Sequence, residues 1–508
     1  MPSSENVPAP TPGSTPGSTP GSTGRHRWLV LAVLGLAQLM VVLDATIVNI
    51  ALPSAQQDLG FADADRQWVI TAYSLAFGGL LLLGGRLADL LGRRTTLLAG
   101  LAGFALASAA GGMADTLGWL VAARAGQGVF GALLAPSALS LLTVTFTDPR
   151  ERGRAFGVFG ALAGAGAAIG LLLGGVLTEY LDWSWCLYVN VPIALVAGAG
   201  ALVLIPRGAD AQGARLDLPG TATAVLGLVA LVYGFSRAEL DGWTAPWTLG
   251  CIAGGVLLLV AFVLLERRVA EPLLPLRVVL DRRRGGAYLA IALSAVGMFA
   301  VFLFLTYFLQ RTLGFSPLRT GFAFLPMVVG IVTSSTQVVP RLLPRVGPRP
   351  LIVPGQLLGA AGLGWLATLE EGDGYWVHVL PALVVMGLGM GLIFGSSFNT
   401  ATAGAPRRDA GVASALVNTG QQVGGAIGTA LLNTLAANAT AARLAEAGGR
   451  PTPQQVAAAV VAGESRGFLV ASLVFVLAAA ASALLLPGGP TPAQHGEPAG
   501  DRPDTTRA

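Results

Sequence analysis

The sequence predicts an all-α polytopic membrane protein, and three observations carry that reading. Of the 508 residues, 53% are hydrophobic and only 11% charged, too few charges to cover the surface of a water-soluble chain of this length. Apolar stretches of about 20 residues, the length that crosses a bilayer core of about 30 Å, recur along the chain. The basic residues, every one an arginine, gather in alternate loops between those stretches. The apolar content excludes a disordered chain, and Cys186 and Cys251, the two cysteines, exclude a disulfide scaffold. A net charge of +4 confined largely to loops needs no nucleic acid to explain it.

The elements follow in order. Residues 1–26 hold a Thr-Pro-Gly-Ser repeat from Thr11 to Ser22, a composition that cannot bury a core and reads as a disordered tail. Residues 487–508 read the same way. Between them fourteen transmembrane helices are expected, near 28–50, 67–86, 95–114, 118–142, 155–178, 186–206, 218–236, 247–266, 286–310, 319–342, 350–369, 376–400, 410–436 and 466–486. With both termini cytoplasmic, 23 arginines fall inside and seven outside, which sets the orientation; Arg124 remains within a span.

The chain also repeats itself. Leu59-Gly60-Phe61 recurs as Leu313-Gly314-Phe315, an offset of 254 residues. The loop Arg86 to Arg94 has a worn counterpart from Arg341 to Arg349, and Gly166, Gly170 and Gly174 match Gly420, Gly424 and Gly428. Three matches in nearly one register imply two bundles of six helices, 27–206 and 285–486, separated by a two-helix insert at 207–284.

Four motifs carry the chemistry. Gly85, Arg86, Asp89, Gly92, Arg93 and Arg94 place one acid among arginines in a glycine-bounded turn, fit for an ionic latch. An ordinary positive-inside loop would explain the arginines but not the spacing. Asp44 is the only acid well inside a predicted span. Desolvation disfavours its charged form, so it suits a group that takes and releases protons; the plain alternative is an acid permanently neutralised for packing. Arg124 in the fourth span needs a partner, and Asp44 is the candidate; the alternative is snorkelling to the outer interface. Gly166, Gly170, Gly174 and Gly175 line one helix face and imply close helix packing.

The Gly85–Arg94 loop resembles the signature loop of the major facilitator superfamily, where it latches two bundles on the cytoplasmic side. Leu120 to Gly128 resembles the fourth-helix arginine motif of its proton-driven members. The fifth-helix glycines resemble the exporters' antiporter motif, with Leu171 where that motif has proline, and Asp182 to Pro192 resembles a further family stretch, with Ser184 in place of its arginine. Fourteen spans and the Asp44 motif narrow the resemblance to the drug:proton antiporter 2 family, the EmrB/QacA type, over residues 27–486. It implies the major facilitator fold and proton-coupled export of amphiphilic small molecules at the plasma membrane, with Asp44 and Arg124 coupling protons.

Thr46, Asn49, Tyr73, Phe77, Gln127, Tyr307, Gln337, Asn418, Gln421 and Gln422 are candidates to line a substrate cavity, although core packing and inter-helix bonding compete for each. His378 is expected at the outer interface without a partner. No metal-ligand cluster, nucleophile constellation or Walker A sequence occurs, so the expectation is a transporter and not an enzyme, without cofactor, driven by the proton motive force. Expected partners are a small molecule, protons and the bilayer, with the protein monomeric. Export of a self-made metabolite, uptake by symport, which Leu171 keeps open, and a non-transporting receptor are the alternatives.

Overall fold

Helices alone build the described residues. The computed structural model describes residues 24–61, 66–206, 217–269, 274, 276–402, 410–446 and 452–489, and no strand occurs among them. Most of both predicted tails lies outside the described residues, and α1 already runs from Gly24.

Beside a short helix at Leu276–Leu280, the long helical stretches of the described residues begin, in chain order, with α1 (Gly24–Leu59), α2 (Arg66–Leu91), α3 (Arg93–Gly112), α4 (Leu117–Thr145), α5 (Pro149–Tyr180), α6 (Trp185–Leu204) and α7 (Leu218–Asp241). There follow α8 (Pro246–Glu266), α9 (Arg282–Thr312), α10 (Leu318–Val346), α11 (Arg349–Leu366), α12 (Tyr375–Thr402), α13 (Ala410–Glu446) and α14 (Pro453–Leu485). Ten of the described helices, all but α5, α7, α11 and α13, contain a window long and apolar enough to cross a membrane.

Helix ends follow local capping more than hydropathy. Asp148 accepts from the N–H groups of Arg150 and Glu151, and Pro149 occupies the first turn, so α5 starts before the predicted residue 155. Thr452 and Gln455 form a reciprocal capping box around Pro453, which starts α14 well before the predicted residue 466. Both α13 and α14 extend beyond the stretches that hydropathy marks out.

The internal repeat is present in the backbone. Gly60 and Gly314 have φ of 66° and 65°, and Gly92 and Gly347 have φ of 90° and 80°. Both pairs turn the chain through the left-handed region that favours glycine. The glycine faces match too: Gly166 and Gly174 sit against Val42 and Ile47 of α1, while Gly420 and Gly428 sit against Tyr288 and Val296 of α9. An added Cβ at Gly424 would overlap the Ala292 backbone carbonyl. Gly424→Ala is therefore expected to cost about 1–3 kcal/mol, read as a lower thermal midpoint in detergent. A midpoint equal to wild type would show that α9 and α13 can part freely.

Helices α7 and α8 pack on each other and against α2 and α13. Gly227 of α7 meets Leu259 of α8, Tyr233 stacks on Trp68 of α2 at 6.3 Å, and Trp243 donates to Thr434 of α13 at 2.9 Å. Opposite this seam, α5 lies along α10 and α12. At the arginine-rich end Arg152 donates to Thr402 at 3.2 Å, and Phe159 meets Phe398 edge-on at 6.2 Å.

Candidate functional site

Five helices of the first bundle deliver polar groups to one buried point. Asp44 on α1 has no exposed surface, and Arg124 on α4 is 2% exposed. The Arg124 Nη1 donates to Asp44 Oδ2 at 2.6 Å and to Gln127 Oε1 at 2.8 Å. Gln127 lies one turn along α4 on the same face, and its Nε2 donates to Asp44 Oδ1 at 2.8 Å and to Ser108 Oγ of α3 at 2.7 Å. Asn190 of α6 donates to Asp44 Oδ1, also at 2.8 Å. From α2, the Val69 carbonyl accepts from Arg124 Nε at 3.3 Å, and the Tyr73 ring lies 4.4 Å beneath the guanidinium.

The arrangement gives both oxygens of Asp44 hydrogen-bond donors. Three donors converge on the two oxygens of Asp44, and Arg124 has an anion, an amide, a carbonyl and an aromatic face around it. A buried ion pair survives only with such completed hydrogen bonding. Arg124 does not snorkel to an interface.

Two members of the cluster, Ser108 and Asn190, are absent from the predicted site. Both are buried polar residues in apolar helices, which is the signal that sequence offers for them. Gln127 is corrected from a cavity residue to a member of this network. Tyr73 and Phe77 are corrected as well: they stack on one another at 5.5 Å, buried in the core.

The remaining cavity candidates disperse. Gln337 is exposed, and its Oε1 accepts from Arg341 at 2.8 Å, one turn on, so it serves a helix end and not a cavity. Thr46 bonds the Val42 and Leu43 carbonyls, and Asn418 returns its amide to the Ser414 carbonyl, as short polar side chains do inside apolar helices. Gln421 and Gln422 are half-buried on α13, with Gln422 beside Gly78 of α2 at the seam between bundles. Tyr307 is 41% exposed, with Arg311 over its ring at 4.9 Å. The side chain of Asn49 lies outside those described. A groove of about 760 Å³ opens elsewhere, between α10 and α12, with Arg319, Phe322, Tyr375 and Trp376 among its lining.

The loop expected to act as a latch is tied down by its own side chains. Arg93 donates to Asp89 at 3.4 Å, Arg94 to the Leu202 carbonyl of α6 at 2.8 Å, and Gly92 makes the turn between α2 and α3. Gly85 is buried, and so are most of Arg86 and Arg93. Gly175 is buried with the α5 glycines. Two expectations about titrating groups need correction. His378 has a partner, Asp373, at 3.3 Å. Asp44 is also not alone: Glu464, outside the predicted final span, lies inside α14 and is 6% exposed. Among the described residues no group of three or more His, Cys, Asp or Glu is placed to hold a metal.

Comparisons with known proteins agree with this architecture. Residues 34–429 match the family model of the Major Facilitator Superfamily. A puromycin resistance protein of Streptomyces alboniger is 54% identical over 448 residues, 88% of each chain. A cephamycin export protein of Amycolatopsis lactamdurans is 42% identical over 413 residues, covering 81% of this chain and 85% of that one. Among solved structures, a proton:xylose symporter, XylE, shares the fold with a TM-score of 0.60 at 14% identity, over 92% of this chain and 97% of its own. The human organic anion transporter MFSD10 gives 0.59 at 16%, over 90% and 99%. With that family match and relatives this similar across most of its length, the chain belongs to the major facilitator superfamily of membrane transporters.

Proposed function

We propose that the protein exports amphiphilic small molecules, antibiotics among them, in exchange for protons by alternating access. It is a multi-pass transporter of the plasma membrane and not an enzyme. The observation that carries the mechanism is the saturated Asp44–Arg124 pair at the centre of the first bundle. A proton arriving from outside neutralises Asp44, frees Arg124, and loosens the link between α1 and α4. After the bundles rock, loss of the proton on the inner side restores the pair. No cofactor enters this cycle, and the proton motive force drives it.

All of α1 to α14 cross the membrane in this reading, with both termini inside and the protein acting as a monomer. The Arg152–Thr402 and Phe159–Phe398 contacts then tie the two bundles together on the inner side. The Gly85–Arg94 loop lies on that same side, where Asp89 and Arg93 act as the latch that opens when the bundles rock. Substrate enters at the seam between bundles, near Gln421 and Gln422. Puromycin is the first substrate to test, because a relative 54% identical is a puromycin resistance protein.

Inverted membrane vesicles give the direction. Labelled puromycin is expected to accumulate inside them when a proton gradient, acid inside, is imposed, and to leak out on adding an uncoupler. Accumulation in right-side-out vesicles instead would establish uptake.

A further inference from the structure

The second bundle holds a buried acid that the cycle above leaves unused. Glu464 sits in α14 at a point where three neighbouring segments close on it. Gly463 lies against Ala436 and Thr440 of α13, Gly467 lies against Phe304 of α9, and Ser465 Oγ donates to the Leu369 carbonyl just beyond α11. Glu464 itself is 6% exposed, and its Oε2 is wholly buried with no hydrogen-bond partner. A carboxylate oxygen that no donor reaches is poorly tolerated as an anion and easily tolerated as part of a neutral acid.

Among the described residues, one cation lies near enough to act on this site. Arg311, at the end of α9, acts electrostatically on Glu464 but forms no ion pair with it within 4.0 Å. Its guanidinium lies instead over the Tyr307 ring at 4.9 Å. The other charged groups on the packed elements point elsewhere. Arg443 and Glu446 of α13 lie 3.9 Å from each other and are exposed, Arg466 of α14 is exposed, and Glu370 and Glu371 beyond α11 are exposed. Asp373 is engaged with His378. The segment of α9 that carries Arg311 is wound as π-helix over Val301–Leu305 and Phe308–Thr312. Such turns recur at functional sites.

We propose that Glu464 is a second proton-binding site, neutral in this structure, whose charged form pairs with Arg311 and redraws the contact of α14 with α9. The neutral acid leaves Arg311 on Tyr307 and lets Phe304 and Phe468 pack edge-on at 5.8 Å. Loss of the proton draws Arg311 inward, a movement that the π-turns of α9 accommodate. The site is on a different bundle from Asp44, so this inference concerns proton binding by the second bundle and survives or fails independently of the Asp44 cycle.

Infrared titration of the full-length protein in lipid nanodiscs tests it, with protons as the only ligand. Near neutral pH the wild type is expected to show the C=O band of a protonated carboxylic acid that shifts when the protein carries ¹³C-glutamate. The band should vanish reversibly as pH rises, persist in Asp44→Asn, and be lost in Glu464→Gln. Arg311→Gln should keep it to higher pH than the wild type, by about one unit, because the charge that favours the anion is gone. A wild-type spectrum without a ¹³C-sensitive acid band overturns the proposal without needing any variant to fold. So does a band that survives in Glu464→Gln, or one that never titrates, which would mark a permanently neutral packing residue. A null result in Asp44→Asn transport would leave this outcome untouched, so the two readings fail separately.

Discussion

Arg124→Gln is expected to destabilise the protein by about 3–5 kcal/mol, and Asp44→Asn combined with Arg124→Gln to recover most of that loss. The reasoning is electrostatic. Removing Arg124 leaves the Asp44 carboxyl wholly buried without its cation, and served only by the amides of Gln127 and Asn190. Removing both charges leaves a neutral polar cluster whose members can still bond one another. Thermal unfolding of the single and double variants measures the difference. A double variant no more stable than Arg124→Gln alone would show that Arg124 contributes through its carbonyl, amide and aromatic contacts and not through its ion pair.

Asp44→Asn alone has the largest expected effect on activity. One proton crossing about 100 mV supplies about 2.3 kcal/mol, enough to hold a substrate gradient of roughly fifty-fold before any pH difference is added. Asparagine keeps the shape of the side chain and its place between Arg124 and Gln127, but it cannot exchange a proton. Accumulation should therefore collapse to equal concentrations on both sides, while downhill exchange of labelled for unlabelled substrate continues. Loss of exchange together with accumulation would mean that Asp44 serves binding or folding rather than coupling. The double variant, stable but uncoupled, separates stability from coupling in the same experiment.

Much of this was legible in the sequence because the bilayer simplifies the problem. Within the described residues, helix positions follow from apolar runs, and the two bundles follow from repeated glycines whose backbone angles match across the repeat. The encounter of Asp44 with Arg124 follows from the cost of leaving either alone in apolar surroundings. What the sequence could not rank was which polar residue meets which. Gln127 lies three residues after Arg124 and so shares its face, yet nothing in the sequence says that this face turns toward α1 and not toward a cavity. Ser108 and Asn190 join the site only through the packing of α3 and α6. Glu464 escaped for a different reason. The segment around it is too polar to register as a span, whereas Thr452, Pro453 and Gln455, which start its helix earlier, are a capping signal that hydropathy ignores.

Proton movement against substrate movement in reconstituted liposomes tests the central claim most directly. Liposomes containing the purified protein and an internal pH dye, preloaded with puromycin and diluted into puromycin-free buffer of equal pH, start with no proton gradient. The account predicts that outward puromycin flow acidifies the interior in wild-type liposomes and leaves it unchanged in Asp44→Asn liposomes. Acidification of equal rate in both would contradict it.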